Sequence, residues 1–354
     1  MIEQGDWWFG SLLMYFLVPL GVGLLLAVMP WLSRQETWFA VTVAPGFRDS
    51  EQGRRVLHTY LKGIAALTLL ILLAQSLVLW LSDDRALAML VYVAGLLVLS
   101  LGGLAVFVYC RHLLLPFSQS QTRRREVSLE PGLTARQIIP GPFWLQAIPY
   151  LLVLLPTSWV ALNYAALPDP VVVHVGIDSV THGEKSIGNV FGVTAAMLFS
   201  LAITHLVMLV PFFMRRLPNQ ARRSRGINLI LLQIMFIMGV LGGFLTFMPV
   251  HGEAWVNHPL GMAVILGSAL LMLFVPVLTG FFVLRDREPH VMGDRSPDER
   301  WYLGMFYFNP EDPALWVEKR FGVGYTVNFA RPTACLFILG LVLLTAVIVA
   351  FSGR

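Results

Sequence analysis

Seven side chains able to bind a metal ion or move a proton gather in two stretches of this chain. The first holds His174, Asp178, His182 and Glu184, the second His251, Glu253 and His258. Imidazole nitrogens and carboxylate oxygens are ligands that zinc takes, and His174-x-x-x-Asp178-x-x-x-His182 would align on one face of a helix. Gly176 and the run Val171-Val172-Val173 oppose a helix, and there is neither a His-Glu-x-x-His motif nor a cysteine pair. The segment therefore reads as a loop in which His174 and Asp178 hold local hydrogen bonds, with no metal and no cofactor. If a metal were bound, its ligands would come from His174, His182, His251 and His258. A loop rich in histidine is also a means of responding to acid pH.

Inside the apolar part of the chain, His205 follows Thr204 near the middle of a long apolar run. Burying an ionisable group in a membrane is costly, so His205 is either a functional residue or a neutral imidazole bonded to a neighbouring helix. Gln75, Asn163 and Gln233 read as interhelical hydrogen-bonding residues, and Gly102-Gly103 and Gly242-Gly243 as points of close helix packing. Pro19, Pro156, Pro211 and Pro276 would kink four apolar helices, a device found in transporters and in inert bundles alike. Catalytic signatures are missing: there is no Gly-x-Ser-x-Gly, no P-loop and no Gly-x-Gly-x-x-Gly. Cys110 and Cys335 read as packing residues.

These residues must be positioned by membrane helices. Apolar residues make up 56% of the chain and charged residues 13%, about half the share of charge in a soluble domain. Eight apolar runs, roughly 8–32, 63–81, 86–109, 144–166, 190–214, 227–249, 259–284 and 333–351, each approach the ~20 residues that cross a hydrocarbon core. Of the 25 Lys and Arg residues, 22 fall in alternate gaps, at 33–62, 110–143, 215–226 and 285–332. By the positive-inside rule those gaps are inner and both termini lie outside. The acidic start Glu3 to Asp6 lacks the basic region of a cleavable signal, so the first run is expected to stay as a span. Trp31 and Trp38 fall at the inner interface. The expectation is an all-α, polytopic bundle of about eight spans forming a single integral membrane domain, 1–354. The outer loop carries a short extended segment within 167–178. Basic residues beside membrane spans meet an anionic inner leaflet, so lipid and not nucleic acid is the expected partner.

The inner stretch 301–331 is rich in aromatic residues. Within it Asp312 suits a helix N-cap, Pro313 the first turn and Gly322 the end, which specifies a short helix over 312–322. That helix would lie on the inner membrane surface, with Trp301, Asn309, Trp316, Lys319 and Arg320 meeting a cytoplasmic protein or lipid. Its aromatic-then-proline-then-acid rhythm also appears in Trp38 to Asp49.

The outer stretch Leu167-Pro168-Asp169-Pro170-Val171-Val172-Val173-His174, followed by Gly176, Asp178 and Gly183-Glu184-Lys185-Ser186, resembles the signature of a bacterial family. Its members are multi-pass membrane proteins carrying a domain of unknown function, related to immunity proteins against the sporulation-delaying toxin. Where that family continues Gly-x-Pro-Asp, this chain has Ser179-Val180-Thr181-His182. Trp301 to Pro313 with Val317 to Phe329 is similar to a second uncharacterised module often found beside the first. The resemblance implies a protein of the bacterial cytoplasmic membrane, of immunity or signal-transduction type. An extracytoplasmic peptide or toxin would meet Pro168, Asp169, His174, Asp178 and Lys185 in the loop 167–188. A transporter of a small solute or peptide, and a membrane metalloenzyme, are the alternatives.

Overall fold

Ser50, Asp84 and Ser186 each begin a helix by giving a side-chain oxygen to its unpaired first amides. Ser50 Oγ accepts from the N–H of Gly53 at 3.1 Å, Asp84 Oδ1 from Ala86 and Leu87 at 2.9 and 3.2 Å, and Ser186 Oγ from Asn189 at 3.2 Å. The computed structural model describes residues 5–33, 36–82, 84–119, 134–175, 180–213, 220–252, 254–255, 258–284, 296–322 and 324–352. Its helices are α1 (Gly5–Leu32), α2 (Glu51–Leu81), α3 (Arg85–Leu114), α4 (Ala135–Ile138), α5 (Ile148–Leu162), α6 (Ile187–Leu209), α7 (Gln220–Leu245), α8 (Met248–His251), α9 (Pro259–Leu284) and α10 (Pro332–Ser352). Its strands are β1 (Thr37–Trp38), β2 (Val41–Thr42), β3 (Val171–Val175), β4 (Val180–Gly183), β5 (Trp301–Tyr302), β6 (Phe306–Tyr307), β7 (Trp316–Glu318) and β8 (Tyr325–Val327). Consecutive strands pair as four antiparallel hairpins, so the all-α expectation is corrected: a helical protein carries small hairpins in its connections.

Among the described residues six helices are long and apolar enough to cross a membrane: Tyr15–Leu32, Glu51–Leu81, Ala86–Phe117, Ile187–Phe212, Ser224–His251 and Pro259–Val283. The runs at 144–166 and 333–351 are not among them. The first is interrupted. Regular helix occupies only the 15 residues of α5, about 22 Å. It is flanked by tighter 3₁₀ turns at Phe143–Gln146 and Tyr164–Ala166. Prolines cause this. Pro142 and Pro149 restrict entry, and Pro156 inside α5 has no N–H to give. The second run forms α10, of 21 residues.

The chain divides into two compact units. One comprises Leu12–Glu130 and Val277–Phe337. Its core gathers Trp38, Phe39, Val41, Val56, Tyr60, Ile64, Phe107 and Cys110, with Phe321 packed against them. Gly103 lets α3 approach Leu26 of α1, and Gly102 does the same for Leu67 of α2, as the paired glycines led us to expect. Gln75 bridges helices by donating to the Ala88 carbonyl at 3.3 Å. Trp38, expected at the membrane interface, is buried instead, because β1 turns back onto α2 and its indole N–H donates to the Gly53 carbonyl at 3.2 Å.

The other unit comprises Met1–Ser11, Pro131–Pro276 and Ile338–Arg354. Here α5, α6 and α7 pack around Val153, Leu201, Met208, Leu232 and Met235. Gly239, Gly242 and Gly243 open the face of α7. A Cβ at Gly239 would lie 2.8 Å from the Pro149 carbonyl oxygen, and one at Gly243 would collide with that of Leu152. The interhelical amide that matters in this unit is Asn228, whose Nδ2 donates to the Ile138 and Met208 carbonyls at 2.9 and 3.0 Å. It satisfies the ends of two helices that prolines have cut short. Asn163 instead bonds its own helix, at the Trp159 carbonyl, and the Gln233 side-chain oxygen has no partner.

Because backbone cannot yield as a flexible side chain does, Gly243→Ala should force α5 and α7 apart. We expect a loss of about 1–3 kcal/mol, the usual cost of overpacking. Thermal unfolding in detergent measures it. Gly267→Ala, where a Cβ would meet nothing within 4 Å, should leave the midpoint unchanged or raise it.

Candidate functional site

Two hairpins with left-handed tips create the site. In the first, β1 and β2 are joined by Phe39 and Ala40, both at positive φ (48° and 61°). In the second, β5 and β6 are joined through Leu303 (φ 51°) and Gly304 (φ 73°). Tight two- and three-residue turns demand this geometry, and a side chain there costs about 1–2 kcal/mol. Phe39, Ala40 and Leu303 are the only non-glycine residues at positive φ among those described. The tips meet: a Cβ at Gly304 would lie 2.9 Å from that of Ala40, so glycine is needed both for its φ and for the approach.

The strained turn leaves the Ala40 carbonyl free to accept two guanidiniums. Arg111, near the end of α3, donates to it at 2.6 Å and also to the Asp298 and Trp301 carbonyls at 2.9 and 3.2 Å. Arg320 donates to it at 3.2 Å, to the Ser296 carbonyl and hydroxyl, and to the Asp298 carboxylate, with which it forms an ion pair. Asp298 is the hub. Its carboxylate also accepts from the Thr42 amide and hydroxyl (3.1 and 2.8 Å) and from the Ser118 hydroxyl (2.6 Å). Arg320 is fully buried and Asp298 nearly so. The Arg320 guanidinium also lies 5.2 Å from the Trp301 ring centre, much as Arg48 lies 4.6 Å from that of Trp38. Below the node, Phe321 stacks against Phe39 and Phe107 with ring centres 6.0 and 4.1 Å away.

The segment that delivers Arg320 is not the short helix expected over 312–322. Trp316–Glu318 pairs with Tyr325–Val327, and the return turn runs through Gly322 (φ 76°) and Gly324 (φ 110°). Asp312 does cap, but it caps a turn, accepting from the Ala314 amide at 3.0 Å and the Tyr307 hydroxyl at 2.9 Å. Strand pairing buries Val317 and aims Arg320 at Asp298, which outweighs the helical end signals. Asn328 locks the rest. Its amide donates to the Asn309 and Asp312 carbonyls at 2.8 and 2.9 Å and accepts from the Asn309 amide at 3.0 Å. The surface expected of Trp301, Asn309 and Arg320 is thereby corrected, since all three are buried as connectors. Trp316 is half-buried against Phe337. Lys319 stays exposed, although partial desolvation lowers its ammonium from the ordinary pKa. Sequence reasoning counted Arg111 as a topology charge and passed over Asp298, Thr42 and Ser118. The one usable signal was that a buried arginine needs an acid, and Asp298 stands 22 residues before Arg320.

The β3–β4 hairpin forms where a short extended segment was expected, with a register shift between Val172 and His174. Val171 and Val172 are buried, while His174, Thr181 and His182 are exposed. Lys185 holds the base of the hairpin. Its ammonium donates to the Leu167 and Ala165 carbonyls at 3.1 and 3.3 Å and lies 5.8 Å from the Tyr164 ring centre. Its amide donates to Asp169 Oδ1 at 3.1 Å. Lys185 thus closes the C-terminal end of the α5 segment while Ser186 caps α6. Pro168 is part of this exposed base, and Asp178 lies outside the described residues. His251 stacks on Trp255 with ring centres 4.8 Å apart, and His258 accepts from the Leu260 amide at 3.2 Å. Among the described residues no three His, Cys, Asp or Glu side chains come together in a metal-holding group. Tyr150 hydroxyl and His205 Nδ1 are 3.3 Å apart, so the imidazole in the apolar run has a bonded neighbour.

Residues 310–334 match the model of a Family of unknown function (DUF5808). The matched stretch contains Asp312, Arg320, Asn328 and Arg331, the connectors that assemble this module. No curated protein and no solved structure matches the chain.

Removing one partner of a buried ion pair leaves an uncompensated charge, which costs about 3–5 kcal/mol. Arg320→Met and Asp298→Asn should therefore each lower the unfolding midpoint in detergent strongly, and the double substitution by less than the two losses added. Arg320→Lys should not rescue, since an ammonium cannot reach Ala40, Ser296 and Asp298 in one plane. Simple additivity would show that the pair is uncoupled.

Proposed function

We propose that this chain is a binding protein of a bacterial cytoplasmic membrane, of signal-transduction or immunity type. Its outer hairpin meets an extracytoplasmic peptide or toxin, and its inner module meets a cytoplasmic protein or lipid. The observation that carries the reading is the buried Asp298–Arg320 pair. A connection between spans has no need of a charged, multiply bonded node, whereas a docking head must hold one shape against the ends of its helices. The exposed edge His174, Thr181 and His182, raised on the Lys185 clamp, supports the outer half of the reading. The resemblance of the loop 167–188 to toxin-immunity relatives points the same way.

In this reading the chain crosses the membrane eight times, with both ends outside. The fourth crossing is α5 extended by its flanking 3₁₀ turns, and the eighth is α10. Cysteine introduced at Thr181 should react with a membrane-impermeant maleimide in intact cells, and cysteine at Glu311 only after permeabilisation. The reverse pattern overturns the orientation.

For the activity itself, expression in a bacterium sensitive to a pore-forming peptide toxin should raise survival. His174→Ala combined with His182→Ala should abolish protection without changing the amount of protein in the membrane. Absence of protection by the unaltered chain sinks the immunity reading. Transport of a small solute or peptide is the second reading, favoured by the Tyr150–His205 pair. Solute flux in proteoliposomes that survives His205→Ala unchanged would remove its support.

A further inference from the structure

The β5–β6 hairpin is apolar on both faces, and only one face is buried. Register places Trp301 opposite Tyr307 and Tyr302 opposite Phe306. Directly opposed residues share a face of a sheet. Trp301 and Tyr307 therefore point together into the module, buried with ring centres 4.9 Å apart. Tyr302 and Phe306 point together away from it, 57% and 46% exposed, beside Leu303 at the tip (49%) and Phe308 (43%). Rings extend this outward face, with Phe308 against Tyr302 and Phe329 against Phe306. A water-facing hairpin would alternate apolar and polar residues. This one does not.

The depth of the tip identifies what covers that face. A Cβ at Gly304 would lie 3.0 Å from Phe107 Cζ and 3.1 Å from Arg111 Cδ, both on the apolar helical stretch Ala86–Phe117. Those residues stand ten and six positions before Phe117, about 15 and 9 Å along the helix axis. Their side chains tilt towards the helix N-terminus, which from this end is deeper still. A 32-residue helix is about 48 Å long, so centred on a ~30 Å hydrocarbon core it protrudes by about 9 Å at each end. The tip thus reaches the boundary between headgroups and acyl chains. On α3 itself Leu101 is 66% exposed and Leu113 is 40% exposed.

We propose that the β5–β6 hairpin is a membrane-inserted wedge, with Tyr302, Leu303, Phe306 and Phe308 seated in the glycerol and upper acyl region of the leaflet beside α3. Aromatic residues favour that region because each ring has an apolar body and a polarisable or hydroxyl-bearing edge. Arg111, bonded to three carbonyls, lets a cationic span end and this wedge occupy the same depth. The proposal rests on the membrane-embedded reading of the chain.

The test attaches a nitroxide to Phe306→Cys, and separately to Tyr302→Cys, after replacing the exposed Cys335 by serine; Cys110 is buried and stays. In nanodiscs of phosphatidylcholine and phosphatidylglycerol, collision with oxygen reports lipid and collision with a water-soluble nickel chelate reports solvent. Leu101→Cys is the lipid standard and Glu311→Cys, whose native side chain is 80% exposed, the water standard. Oxygen access severalfold above nickel access at both hairpin positions, close to the Leu101 ratio, supports the wedge. A ratio like that of Glu311 overturns it, and so does shielding from both reagents, which means protein covers the face. A Leu101 label open to nickel instead overturns the membrane reading beneath it.

Discussion

One buried ion pair sets the arrangement of the hairpins in the first unit. Asp298 and Arg320 are far from water, so each must be satisfied completely or the unit is destabilised. Satisfying Asp298 brings in Thr42 and Ser118, and satisfying Arg320 brings in Ser296 and the Ala40 carbonyl. Arg111 closes the ring by bonding both hairpins from α3. The left-handed backbone of Phe39, Ala40 and Leu303 is the local cost of pointing those carbonyls inward, offset by the charge-assisted bonds that result.

Among its described residues the second unit has no buried charge. Its helices are broken by prolines, which leaves carbonyl groups unpaired, and amides and one ammonium close them: Asn228 at Ile138 and Met208, Lys185 at Ala165 and Leu167. Small residues on α7 then let the helices touch through backbone. The motif-like spacing Leu167-Pro168-Asp169 with Lys185-Ser186 therefore has a structural content of its own. It is a clamp that raises the β3–β4 hairpin, and it leaves His174, Thr181 and His182 exposed at the hairpin's edge.

Much of the candidate site was hidden from sequence reasoning for a definite reason. Arg111 looked like one more member of a basic loop and Arg320 like a surface contact, because charge and spacing register sign and position but not burial. The segment 312–322 carried correct end signals, an acid to cap and a glycine to stop, yet those residues serve a turn and a strand return just as well. Local signals of that kind are worth about 1 kcal/mol each, less than the cost of leaving a buried arginine without its partner. The segment after Pro170 fared better. A β-branched run between prolines and glycines has few options, and it forms the hairpin it specifies.

By itself, the sequence determined the apolar helices, the partition of basic residues, the close-packing glycines and the extended segment after Pro170. All of these follow from composition and spacing within one segment. Which arginine is buried, which acid it meets, and that two distant turns share one carbonyl were decided only by tertiary structure. Asp298 and Arg320 become partners because strand pairing folds the module back on itself, and Ala40 joins them across 280 positions of chain. No local pattern encodes a contact at that separation; the desolvation energy of the charges selects it once the helices have packed.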